Sequence, residues 1–107
     1  MQPDPVGWVC AGSVSECAPD RPLVILTPKF PVAIFQVRTT YIAIKDRCPH
    51  ADWALSRGTL SDATITCPGH AWQFDLRTGQ CLRGDTECSL RLFPVEVRGT
   101  ALWVKIA

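Results

Sequence analysis

The sequence predicts an all-β fold, an antiparallel sandwich or small barrel with one inserted excursion. Four short runs rich in β-branched and aromatic residues favour strands, and Pro, Asp, Arg or Thr bound them. The nine prolines and seven glycines fall mostly between such runs. No segment of helical length repeats its apolar residues with a period of about 3.6. The runs are VGWVCAG (6–12), LVILT (23–27), VAIFQV (32–37) and TYIAIKD (40–46).

Three pairs of neighbouring runs are predicted to form hairpins. VAIFQV-RT-TYIAIK (32–45) contains a two-residue turn, FPVEV-RGT-ALWVKI (93–106) turns around Gly99, and WQFDLRTGQCL (72–82) turns at Thr78-Gly79. In the second hairpin, Val95 and Val97 alternate with Glu96 and Arg98, which predicts one buried and one solvated face. ADWALSRG (51–58) could hold one short helical turn.

The length of 107 residues predicts one domain that spans residues 1–107. Eleven basic and ten acidic residues are spread evenly and leave a net charge of +1, so neither nucleic acid nor a membrane surface is an expected partner. The first ten residues lack a basic stretch followed by an apolar one, so no signal peptide is expected. The longest apolar runs are too short to span a bilayer. We therefore expect a cytoplasmic protein.

Six cysteines in so short a chain could form a disulfide scaffold, but thiols stay reduced in the cytosol. Four of them, Cys10, Cys17, Cys81 and Cys88, have no ligand-like neighbours and are expected to be ordinary thiols. A bridge between Cys81 and Cys88, across CLRGDTEC, remains an open alternative.

Both histidines of the chain follow a Cys-Pro pair. Cys48-Pro49-His50 has the spacing C-x-H, Cys67-Pro68-Gly69-His70 has the spacing C-x-x-H, and sixteen residues separate His50 from Cys67. Three interpretations compete: turn and core residues without a ligand, a structural zinc site, or a binuclear iron–sulfur centre. Zinc sites usually pair like ligands at short spacing. One thiolate and one imidazole from each loop suit two irons better, since two His replace two Cys on one iron of a Rieske [2Fe–2S] cluster.

The stretch CPHADWALSRGTLSDATITCPGHAWQFDLRTGQC (48–81) resembles the cluster-binding region of bacterial Rieske-type ferredoxins that serve aromatic ring-hydroxylating oxygenases. The resemblance covers nearly the whole chain. It implies a Rieske-type antiparallel β-sandwich with an inserted cluster-binding subdomain: a base of roughly 1–44 and 76–107, and an excursion of roughly 45–75. It also implies one [2Fe–2S] cluster, with Cys48 and Cys67 on the inner iron and His50 and His70 on the outer iron.

Residues around the proposed ligands fit this reading. Pro49, Pro68 and Gly69 would tighten the two loops, and Ser56 and Gly58 would shape the first. Trp53 and Trp72 would shield the cluster sulfurs or simply fill the core; both alternatives stay open.

The resemblance further implies a low reduction potential. High-potential Rieske proteins of respiratory complexes carry an extra, disulfide-bonded Cys in each loop, where this chain has Trp53 and Gly69. They also place Ser and Tyr hydroxyls where this chain has Trp72 and Phe74. Without those hydrogen bonds to sulfur, the reduced state is less stable and the potential is lower.

The resemblance implies an electron-transfer component rather than an enzyme. The expected donor is a flavin-containing NAD(P)H ferredoxin reductase, and the expected acceptor is a terminal Rieske non-haem iron oxygenase of aromatic compound degradation. The alternative is the small subunit of an assimilatory nitrite reductase. Because Met1 opens the chain and a strand at 103–106 closes it, a complete unit is expected rather than a domain cut from a larger oxygenase subunit.

Overall fold

The computed structural model describes residues 7–49, 51–85 and 87–106. Eleven strands lie within these ranges, together with two single 3-10 turns, Val14–Glu16 and Leu55–Arg57. No helix in this described part is long and apolar enough to cross a membrane. The strands are β1 Trp8–Ser13, β2 Leu23–Leu26, β3 Pro31–Val37, β4 Thr40–Lys45, β5 Thr59–Ser61, β6 Thr64–Thr66, β7 Gln73–Asp75, β8 Cys81–Arg83, β9 Leu92–Phe93, β10 Val95–Arg98 and β11 Ala101–Lys105.

The strands form three antiparallel sheets, in the orders β1-β11-β10, β2-β3-β4-β9 and β5-β6-β7-β8. The all-β prediction is confirmed. All three predicted hairpins are present, as β3–β4, β10–β11 and β7–β8. The predicted helical turn is the 3-10 turn Leu55–Arg57.

The sheet β2-β3-β4-β9 is the middle sheet, and its strand β3 is buried on both faces. In β3, Val32 and Ile34 belong to the core shared with the β1-β11-β10 sheet, while Ala33 and Phe35 belong to the core shared with the β5–β8 sheet. A strand covered on both sides has no solvated face. This explains why VAIFQV is a continuous apolar run rather than an alternating one.

The alternation predicted for β10 is confirmed only in part. Val97 lies directly opposite the buried Leu102, but its side chain is 49% exposed because β10 is the edge strand of its sheet. On the other face, the guanidinium of Arg98 stacks on Trp103 at 4.5 Å and on Trp8 at 5.3 Å. The face assignment holds, and the expected burial of Val97 is wrong.

The small sheet β5-β6-β7-β8 lies mostly within the predicted excursion. Its hairpin β5–β6 was not expected from the sequence, and its last strand, β8, lies beyond residue 75. The division into a base and an excursion therefore remains a prediction, with the sheet itself continuing to Arg83.

Candidate metal centre

Two loops that each begin with a cysteine form the candidate site. Cys48 lies shortly after β4 in the middle sheet, and Cys67 directly follows β6 in the small sheet. Both side chains are almost fully buried, 3% and 2% exposed, in the core between these two sheets. The two predicted sulfur ligands are therefore held where water has little access.

The two loops have the same internal pattern of backbone hydrogen bonds. The amide of Cys48 donates to the carbonyl of Trp53 at 2.8 Å, and the amide of Cys67 donates to the carbonyl of Trp72 at 2.7 Å. The carbonyls of the two cysteines accept from Ala51 and Ala71, each at 3.1 Å. In both loops the cysteine backbone is thus fixed at its N–H and at its C=O, which sets the direction of the side chain.

The loops contact each other through Trp53 and Gly69. A Cβ atom on Gly69 would collide with the Trp53 indole, reaching Cδ1 at 2.5 Å and overlapping Nε1. These are the two positions that the resemblance assigns to the disulfide of high-potential Rieske proteins, and here a tryptophan–glycine contact lies between them. Trp53 is 49% exposed, which excludes a role in filling the core. Trp72 is half-buried and packs against Gly84.

The second loop presents its histidine at the surface. His70 is exposed, and Ala71 beside it adopts a left-handed backbone with φ of 60°. Such a conformation costs a residue with a Cβ about 1–3 kcal/mol and persists where the surroundings enforce it. Here the hydrogen bond from Ala71 to Cys67 closes the turn. His50 lies outside the described residues, so its assignment stays a prediction.

A buried carboxylate ties together the two ends of the first loop. Asp46 is 3% exposed and accepts two hydrogen bonds from Ser56, from the amide at 2.7 Å and from the hydroxyl at 2.6 Å. Gly58 lies close against the start of the second loop, because a Cβ at this position would overlap the carbonyl of Thr66, the residue before Cys67. The predicted loop-shaping roles of Ser56 and Gly58 agree with these contacts. Asp46 was missed, since an aspartate at a strand end carries no sequence signal for burial.

All six cysteines lie in the described part of the chain, and none of them forms a disulfide. The alternative Cys81–Cys88 bridge is therefore not formed. Burial raises the pKa of the Cys17 thiol, which donates to the carbonyl of Ile34 at 3.2 Å. Desolvation, and then the neighbouring Asp85 carboxylate, raise the pKa of Cys88.

The donor set fits a two-iron centre. Two buried sulfurs and one exposed imidazole are described, and His50 would complete the Cys₂His₂ set of a Rieske cluster. Among residues 7–49, 51–85 and 87–106, no three His, Cys, Asp or Glu side chains lie close enough to hold one metal ion. A Rieske centre needs no such group, because each iron takes two protein ligands.

Comparison with known proteins gives a family. Residues 7–94 match the Rieske [2Fe-2S] domain family. The 3-phenylpropionate/cinnamic acid dioxygenase ferredoxin subunit of Shigella boydii serotype 4 (strain Sb227) is 38% identical over 76 residues, which cover 70% of this chain and 72% of that protein.

Solved structures agree with this match. A chain in the complex of reduced oxygenase and oxidized ferredoxin in carbazole 1,9a-dioxygenase superimposes with a TM-score of 0.86 and 28% identity, covering 94% of both chains. A putative nitrite reductase NADPH (small subunit) protein superimposes with a TM-score of 0.78, covering 91% of this chain and 96% of that one. At 24% identity it shares the fold alone. The chain belongs to the Rieske [2Fe-2S] domain family, and its cofactor is a Rieske-type [2Fe-2S] cluster.

Proposed function

We propose that this protein carries single electrons from a flavin-containing NAD(P)H-dependent ferredoxin reductase to a Rieske non-haem iron ring-hydroxylating oxygenase. The similarity to a dioxygenase ferredoxin subunit over 70% of the chain carries this proposal. The proposed location is the cytoplasm, where the NAD(P)H that supplies the reductase is available.

Cys48 and Cys67 are the proposed ligands of the inner iron, and His50 and His70 are those of the outer iron. The cluster supplies one-electron oxidation and reduction. The chain does the rest: the core excludes water from the two sulfurs, and the second loop holds an imidazole at the surface. A redox group with a nitrogen ligand that faces solvent can exchange electrons without a substrate pocket.

The proposed contact surface for electron partners is the tip formed by Pro49, Asp52, Pro68 and Trp72. The first three are exposed and Trp72 is half-buried, so a partner can reach all four. Delivering one electron at a time requires partners to exchange quickly, which a small interface allows.

Electron paramagnetic resonance of the dithionite-reduced protein tests the ligand assignment. A mixed His/Cys signal is expected from the wild type and lost in Cys67→Ser and His70→Ala. The matched control is Cys88→Ser, a half-buried cysteine outside both loops, which should keep the signal. A wild type with stoichiometric zinc and no iron signal would refute the assignment.

Reconstitution with candidate partners tests the direction of transfer. Reduced protein is expected to support product formation by a ring-hydroxylating oxygenase, with a flavin reductase and NAD(P)H as the electron source. The rival function, a nitrite reductase small subunit, has the same fold among solved structures. Stable co-purification with a sirohaem enzyme, without transfer to the oxygenase, would favour the rival.

A further inference from the structure

A groove of about 320 Å³ lies directly beside the first cysteine loop. Its described lining includes Cys48 and Pro49 from the loop and three cationic side chains, Lys45, Arg47 and Arg91. Asp52 is the one acidic residue in that described lining. The groove is therefore positive by about two charges, although the whole chain carries only +1.

Aromatic rings hold two of these cations in place. The ammonium of Lys45 and the guanidinium of Arg91 both lie 5.4 Å from the centre of the Phe30 ring, and Arg91 also lies 4.9 Å from that of Phe93. The two rings stack on each other with centroids 5.4 Å apart. The amide of Lys45 donates to the carbonyl of Arg91 at 3.1 Å, which joins the two backbones. The charges are thus pre-positioned rather than free to spread into solvent.

Of the three cations, only Arg47 forms a salt bridge to a described carboxylate. Its partner is Asp52 at 3.5 Å, and the two side chains are 50% and 88% exposed. A pair so open to water neutralises little. Lys45 and Arg91 form no salt bridge to a described carboxylate, whereas Arg38 and Arg77, which line a second groove, each form one, with Asp62 at 3.3 Å and Asp75 at 3.2 Å.

We infer that this groove docks a carboxylate-bearing patch on the oxygenase that accepts electrons from the chain. This inference rests on the proposed function and specifies the partner surface. Lys45 and Arg91 line the same groove as Cys48, a proposed cluster ligand, so a partner bound in that groove would approach the redox centre. Exposed charges attract over a Debye length of about 10 Å at 0.1 M salt, which speeds encounter without making a long-lived complex.

Small redox complexes of opposite charge test the electrostatic potential around the groove without a protein partner. The reduced protein passes one electron to hexacyanoferrate(III), giving hexacyanoferrate(II), or to hexaammineruthenium(III), giving hexaammineruthenium(II). In the double variant Lys45→Gln/Arg91→Gln, oxidation by the trivalent anion at low salt is expected to be about fivefold slower. Oxidation by the trivalent cation is expected to be faster.

The matched control is Arg38→Gln/Arg77→Gln, which also removes two positive charges. Arg38 precedes β4 and Lys45 ends it, so the control lies at the opposite end of that strand. Its rates with both complexes should stay within a factor of two of wild type. Equal changes in the two double variants, or changes of the same sign with both complexes, would overturn the inference.

A second readout does not depend on electron transfer. A carbodiimide should couple the Lys45 amine to a carboxylate of the partner oxygenase, forming an amide as the carbodiimide takes up water to become a urea. Lys45→Arg keeps the charge and should abolish that crosslink in peptide mass spectra. A crosslink that never involves Lys45 overturns the inference. If the Lys45→Gln/Arg91→Gln variant keeps a normal cluster signal and its rates equal those of wild type, the proposed role of the groove is refuted and the proposed function is not. If the wild type itself shows no cluster signal, the proposed function is refuted.

Discussion

Replacing Ser56 with alanine tests the anchor of the first loop. The Ser56 hydroxyl donates to the Asp46 carboxylate at 2.6 Å, and Asp46 is 3% exposed, so water cannot easily take its place. A hydrogen bond to a buried charged group contributes about 1.5–3 kcal/mol. The amide of Ser56 still donates to the other carboxylate oxygen, which limits the loss. Ser56→Ala should therefore lower the free energy of unfolding by about 2 kcal/mol.

Urea unfolding followed by circular dichroism and by cluster absorbance measures this loss. The same change should lower Tm by about 10 °C in a domain of this size. Ser61→Ala, at an exposed serine of β5, is the control and should change stability by less than about 0.5 kcal/mol. If Ser56→Ala also falls within that limit, the carboxylate does not anchor the loop and the reasoning is refuted.

Three further predictions concern other parts of the molecule. Gly58→Ala should lower the free energy of unfolding by at least about 2 kcal/mol, because its Cβ would meet a backbone carbonyl. Gly69→Ala should lower it by less than about 1 kcal/mol, because its Cβ would meet the half-exposed Trp53 side chain, which has room to shift towards solvent; equal losses in urea unfolding would contradict this. Burial raises the pKa of the Cys17 thiol in the folded state. The thiol therefore ionises first in the unfolded state, and the contribution of Cys17 to the free energy of unfolding is present at neutral pH and lost as the pH rises above about 8.5. Stability should fall less steeply with alkaline pH in Cys17→Ala, and parallel pH profiles would argue against it. The midpoint potential, measured by redox titration, should lie near the lower end of the Rieske range of about −150 to +300 mV; a value well above zero would rule out the low-potential assignment.

The strands of the sandwich could be predicted because their burial leaves a local mark on the sequence. The β3–β4 hairpin follows from two apolar runs and a two-residue gap. The hairpin of β5 and β6 could not be predicted, since each strand has three residues and too few positions to show a period. The exposure of Val97 was also out of reach, because it depends on which strand lies at the edge of its sheet.

The proposed cysteine and histidine ligands could be named from the sequence because their spacing is local. The contacts that shape the site join residues far apart in the chain, such as Trp53 with Gly69, and these emerge only in three dimensions. The positive groove was likewise invisible in the composition. Even charge along the chain says nothing about where Lys45 and Arg91 meet once the strands pair.

The two cysteines follow strands of different sheets: Cys48 follows β4 of the middle sheet and Cys67 follows β6 of the small sheet. If both are cluster ligands, as proposed, the cluster would link the two sheets, and a ligand that binds only the folded state shifts the folding equilibrium. Iron removal should therefore loosen the chain unevenly. Amide hydrogens of β5–β8 should exchange faster. Those of β1, β10 and β11 should keep their protection, because these strands pack on the other core, between their own sheet and the middle sheet.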